Sequence, residues 1–197
     1  MNASRKFLIT LSLFTFAAIT SIALLGANAE SKVTLPVLGQ ISNFKLYDAR
    51  ANEFSLKELK GKVFVTDFIF TTCSGICPIM TRNLKGIHDD FKTNANIHFV
   101  SITVNPEVDS PQVLSDYAKK YEIDSGRWHF LTGSRESISD LAVKGFKIGS
   151  VTDLVFHSAY LVLADKKAQI RGYYEGTNPE EVKKLKADIQ RLLKEKS

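Results

Sequence analysis

Apolar and polar positions along this chain follow two rhythms, a period of two and a period near 3.6, and the changes between them mark the elements. Asn43 to Tyr47 alternates as a strand, and Ser55 to Leu59 reads as one short helical turn ended by Gly61. Val63 to Phe70 is nearly all apolar and rich in aromatic and β-branched residues, which predicts a central strand covered on both faces. The segment after it opens a helix to about Phe91, and a strand follows from about Ile97 to Val104. Ser110 is placed as an N-cap with Pro111 at the first helical position. Val113, Leu114, Tyr117, Ala118 and Tyr121 then make one apolar stripe. Trp128 to Leu131 predicts a short strand, Ser134 to about Phe146 a helix, and Ala159–Leu163 with Ala168–Tyr174 a hairpin. A last helix begins at Asn178-Pro179-Glu180-Glu181, which has the form of a capping box, and buries Val182, Leu185, Ile189 and Leu192. This alternation predicts an α/β fold, a central mixed sheet with helices on both faces. A parallel βαβ core ending in a hairpin and a helix is thioredoxin-like in order.

The first residues follow another pattern. Arg5 and Lys6 precede an apolar stretch from Phe7 to Leu25, and Ala27-Asn28-Ala29 follows. A positive start, an apolar middle and a small-x-small site read as an export signal over residues 1–29, cleaved after Ala29. The alternative is an uncleaved membrane anchor, since the stretch is long enough to span a bilayer. Either reading puts residues 30–197 outside the cytoplasm, most simply in a bacterial periplasm. That length suits one domain with a substantial core. Removing Arg5 and Lys6 from the 26 basic residues leaves 24 against 21 acidic ones, a net charge of +3. The excess is spread along the chain, so a solvated surface fits better than nucleic-acid binding.

The chain has two cysteines, in Cys73-Ser74-Gly75-Ile76-Cys77-Pro78 at the end of the central apolar run. The three-residue spacer predicts both sulfurs one turn apart on a single helix face. Unpaired N–H groups and the dipole at a helix start favour thiolate, and Pro78 is harmless in a first turn. A disulfide here closes a tiny loop and constrains the unfolded chain little, so stabilisation is a poor reason for it. In an oxidising compartment a close pair oxidises unless it is kept reduced or metal-bound. A metal clamp and a redox couple both remain open.

Two thiolates alone rarely complete a metal site, so a third ligand is expected. His88, followed by Asp89 and Asp90 on a polar helix stretch, reads as a surface residue. His98 and His129 sit in short strands, where a half-exposed or satisfied histidine is the ordinary case. His157, in Val155-Phe156-His157-Ser158-Ala159, stands at a loop-to-strand entry with apolar neighbours, and pattern alone leaves its role open. In a thioredoxin-like order this loop is expected beside the cysteine helix.

Residues 36–176 resemble the SCO/SenC family of copper-binding proteins that assemble the copper site of cytochrome c oxidase. The resemblance rests on Asp67-Phe68-Ile69-Phe70-Thr71-Thr72-Cys73 with Cys77-Pro78, on Pro106-Glu107-x-Asp109, on Trp128-x-Phe130-Leu131-Thr132-Gly133, and on His157-Ser158-x-Tyr160-Leu161. It implies a copper site built from Cys73, Cys77 and His157, with one copper per chain. It also implies the copper-bearing subunit of the oxidase as partner, alongside periplasmic copper chaperones or thiol reductants. Two thiolates and an imidazole suit Cu(I), and with a further ligand can hold Cu(II). A structural zinc site wants four protein ligands, and three candidates are visible. Asn105 stands where the family commonly has aspartate, Phe156 where an acidic residue often precedes the histidine, and Asp165-Lys166-Lys167 replaces a Gly-containing turn.

Two rival classes are weaker. A general thiol–disulfide oxidoreductase of the thioredoxin kind has a two-residue spacer and a cis-proline facing the cysteines, and no proline lies near 150–165. A specialised reductase for the oxidase's copper-site cysteines stays compatible with the pair. A peroxidase of the peroxiredoxin sort is disfavoured because Phe70 stands three residues before Cys73. The expected protein is a copper-binding assembly factor and not a turnover enzyme.

Overall fold

Seven consecutive buried residues, Val63–Ile69 (β4), form the strand on which the sheet is built. Odd positions Val63, Val65 and Ile69 enter one apolar cluster, and Phe64 and Phe68 enter another on the opposite face. Each face of the strand needs a cover, and even its two polar residues, Thr66 and Asp67, are buried. The computed structural model describes residues 34–123, 126–149 and 158–195, with Leu35–Ser197 as one compact unit. The expected signal or anchor over residues 1–29 lies outside the described residues. Among those described, no helix is long and apolar enough to cross a membrane.

The other strands are Gly39–Gln40 (β1), Lys45–Asp48 (β2), Glu53–Ser55 (β3), Ile97–Thr103 (β5), Trp128–Thr132 (β6), Tyr160–Ala164 (β7) and Gln169–Glu175 (β8). The helices are Cys77–Asp90 (α1), Pro111–Lys120 (α2), Arg135–Asp140 (α3) and Pro179–Lys194 (α4). The sheet runs β1-β8-β7-β4-β5-β6-β2-β3. Strands β4, β5 and β6 are parallel, while β7 and β8 pair antiparallel beside β4. The thioredoxin-like order and mixed sheet expected from the patterning are therefore present.

One cluster unites β4, β5 and β6 with Met80, Leu84 and Ile87 of α1, Leu114 and Tyr117 of α2, and Leu185, Ile189 and Leu192 of α4. The other face is closed by Leu56 and Leu59 of a 3-10 turn, Ile138 of α3, and Leu141, Ala142 and Phe146. Ser110 accepts from Val113 N–H with Pro111 at the start of α2, as the sequence predicts. The helix predicted over 134–146 differs in kind, because it passes from α3 into a π-helical turn at Leu141–Gly145. Asn178 caps α4 by accepting from Glu180 and Glu181 N–H, while the reciprocal capping box forms instead at Ser55 and Glu58.

His88 corrects the sequence reading. It is 7% exposed, with its ring against Phe99 and Trp128. It falls four residues after Leu84 on the face α1 turns to the sheet, and that periodicity outweighs its acidic neighbours.

Candidate functional site

The carboxyl end of β4 leads through Phe70–Ile76 into α1, so reactive side chains there stand where open α/β sheets collect their sites. The helix begins at Cys77, and Cys73 lies in the loop before it. The expectation of both sulfurs on one helix face is thus corrected. Pro78 explains the boundary: in a helix starting at Cys73 it would sit inside and leave the Ser74 carbonyl without its i+4 donor. Starting at Cys77 puts it in the first turn.

The loop curls so that backbone N–H groups converge on Cys73. Burial alone would raise that thiol's pKa, but N–H groups of Cys77, Gly75 and Ile76 and the Cys77 thiol outweigh it and bring it below the ordinary value. Cys77 moves the other way. It is 4% exposed, and burial first, then its hydrogen bond to Cys73 and the negative charges of Cys73 and Asp67, push its thiol up. Both cysteines are free, and the pair divides into a partly exposed thiol that ionises more readily than usual and a buried thiol that donates to it and ionises less readily.

Two carboxylates shape the surroundings. Asp67 is wholly buried in β4, its Oδ1 accepting from Ser101 Oγ at 2.6 Å while Ser101 Oγ accepts from Trp128 Nε1 at 2.9 Å. Its Oδ2 has no hydrogen-bond partner among the described residues, and burial raises its pKa to about 7. Asp109, also fully buried, holds the loop: its Oδ2 accepts from Thr71 N–H at 3.0 Å and Thr103 Oγ1 at 2.5 Å, and its Oδ1 accepts from Thr71 Oγ1 at 2.5 Å. Thr71 is thereby tied to the β5–α2 connection two residues before Cys73. The sequence named neither role, though an aspartate inside an apolar strand and a Pro-Glu-x-Asp segment were the available signals. Asn105 contributes through its carbonyl, which accepts from Val108 and Asp109 N–H.

His157, the third ligand candidate, lies outside the described residues. Among those described, no third His, Cys, Asp or Glu joins the two cysteines in a metal-binding group. The strand beyond it is well placed. Thr66 pairs with Val162 in antiparallel register, so the start of β7 lies beside the carboxyl end of β4. Ala159 accepts from Gly176 N–H at 2.6 Å, and Gly176 approaches Met80 of α1 closely.

A family model described as SCO1/SenC matches residues 38–194. The chain belongs to the SCO1/SenC family. It is 32% identical over 147 residues to the SCO1 protein homolog of Bacillus subtilis, across 72% of this chain and 76% of that one. Among solved SCO1/SenC structures it is similar to BsSco, described as having a disulfide switch and as a member of the Sco family of cytochrome c oxidase assembly proteins. The TM-score is 0.71 at 28% identity, covering 82% of this chain and 99% of that one. It is also similar to yeast Sco1 with copper bound, with TM-score 0.61 and 26% identity, covering 80% and 95% of the two chains.

Proposed function

We propose that this chain is an exported copper-binding assembly factor that loads or prepares the copper site of cytochrome c oxidase, with Cys73, Cys77 and His157 as ligands to one copper. The observation that carries the reading is the thiol pair itself: two free cysteines in hydrogen-bond contact, one held towards thiolate by three backbone N–H groups. Two adjacent soft donors and an imidazole match Cu(I). Membership of SCO1/SenC, and copper bound to yeast Sco1, support the same choice of metal. The start of β7 beside β4 supports His157 as the third ligand, because that histidine stands three residues before Tyr160.

When bound, copper supplies a soft cation that exchanges between thiolate sites. Cys73 provides the more readily ionised thiol, and Cys77 gives up its proton on binding. A disulfide offers no thiolate, so reduction of the pair precedes loading. Periplasmic copper chaperones or thiol reductants supply metal or electrons. The test is substitution: Cys73→Ser and His157→Ala each lose tight copper binding, and full affinity in both variants sinks the ligand assignment.

A second reading, a specialised reductase of the oxidase's copper-site cysteines, is favoured by the same contact. Cys73 thiolate attacks the partner disulfide, Cys77 resolves the mixed disulfide, and this chain leaves oxidised as the partner leaves reduced. Reduced protein that transfers electrons to such a disulfide yet binds no copper decides for this reading.

A further inference from the structure

The structure assigns a second site for a linearly coordinated monovalent soft metal ion, Cu(I) or its redox-silent mimic Ag(I), to His98 and His129. These histidines stand second in the parallel neighbours β5 and β6, at the amino ends of those strands. The cysteines follow the carboxyl end of β4, which is parallel to β5. Thr103 lies five residue steps along the strand from His98, so roughly 17 Å of strand lies between the histidines and the cysteine end of the sheet.

His98 Nδ1 and His129 Nε2 are 3.1 Å apart. The rings lie within 9° of parallel with centroids 5.4 Å apart. That separation is what two imidazoles reach when the facing nitrogens lie on the line between ring centres. The two nitrogens therefore point head-on at one spot, and one proton now occupies it. A metal ion taking that spot meets two opposed lone pairs, a linear pair and not the corner of a tetrahedron. With metal–nitrogen bonds of about 2 Å the nitrogens must separate to about 4 Å, an opening of a little under 1 Å shared between two side chains.

The surroundings suit a singly charged, borderline-soft ion. Both rings are half-buried and both are neutral near pH 7, the form in which imidazole ligates. Phe54 packs on His129 at 4.6 Å and closes one side. The Ala95 carbonyl lies in hydrogen-bonding reach of the His98 ring and orients it, as a ligating histidine requires. Lys62 and Arg127 face His98, and Arg50, Asp48 and Glu58 face His129. The cationic members of that group penalise a divalent ion more than a monovalent one. Binding takes two neutral imidazoles: the shared proton moves to the other nitrogen of His129 through solvent, and none is released overall.

This inference is independent of the cysteine site. The test adds Ag(I) to the full chain carrying Cys73→Ser and Cys77→Ser, followed by calorimetry and by 15N shifts of the imidazole rings. The expected result is one equivalent bound, with His98 Nδ1 and His129 Nε2 shifting together. His98→Gln or His129→Gln weakens binding at least about tenfold, since a single nitrogen remains. The wild-type reduced protein gives a second readout that needs no variant: after the first equivalent, a further one shifts these same two nitrogens. Absence of that shift, or Ag(I) binding that survives both glutamine variants, overturns the assignment.

Discussion

Four positions separate Cys73 from Cys77, yet their environments drive the two thiols apart. Backbone N–H groups lower the first, and burial with neighbouring negative charge raises the second. Iodoacetamide labelling against pH should therefore modify Cys73 first, with a midpoint below the usual thiol value of about 8.5, while Cys77 stays protected at neutral pH. Equal rates for the two would contradict the assignment of roles. Asp67 is a buried carboxyl with one oxygen unpartnered among the described residues and a pKa raised from 3.8 to about 7. The unfolded chain releases that proton first, so its contribution weakens the fold as pH rises from about 4 to 7. Asp67→Asn should raise the melting temperature at pH 7.5 by several degrees and leave it nearly unchanged at pH 4, as calorimetry can show. The cysteine pair was legible in the sequence because spacing and residue type suffice. Its asymmetry was not, because it depends on which N–H groups a loop aims at which sulfur.

At the scale of elements, the site depends on how a loop is pinned between β4 and α1. Asp109 carries out that pinning from the β5–α2 connection with three hydrogen bonds, two of them to Thr71. Asp109→Ala strips partners from a part-buried backbone N–H and two hydroxyls, and should destabilise the chain by about 2–4 kcal/mol in urea unfolding. At urea-free concentrations where the variant is fully folded, its Cys73 labelling midpoint should move back towards the ordinary thiol value. An unchanged midpoint would separate the Asp109 anchor from the cysteine loop. Element order and the faces of α1, α2 and α4 were readable because one apolar stripe per helix leaves few ways to bury it. Placing both sulfurs on one face of α1 set its start too early, although Pro78 held the information. The π turn at Leu141–Gly145 had no local signal, since its five residues suit an α-helix as well.

For the molecule as a whole, one buried and one half-buried group give opposite pH responses. His129 is depressed from 6.5 to about 4, chiefly by burial, so the unfolded chain takes up a proton that the folded chain refuses. Its contribution to stability is therefore lost as pH falls from 6.5 to about 4, while that of Asp67 is gained across much of the same range. Because the two slopes oppose each other over that shared range, His129→Asn should leave stability rising as pH falls from about 6.5 to 4 and Asp67→Asn should leave it falling; slopes of the same sign in both variants would contradict these placements. The mixed sheet and the two-sided core were legible from one buried strand followed by βαβ order. The third ligand could not be reached by periodicity, because a ligand is chosen by where loops meet and not by a repeat along the chain. Family resemblance supplied His157 instead. The central claim is a copper site of two thiolates and one imidazole, and X-ray absorption on the fully reduced protein loaded with one equivalent of Cu(I) tests it most directly. The account predicts two sulfur neighbours and one nitrogen, with the nitrogen lost in His157→Ala. A copper shell without sulfur, or one unchanged by both Cys73→Ser and His157→Ala, would contradict it.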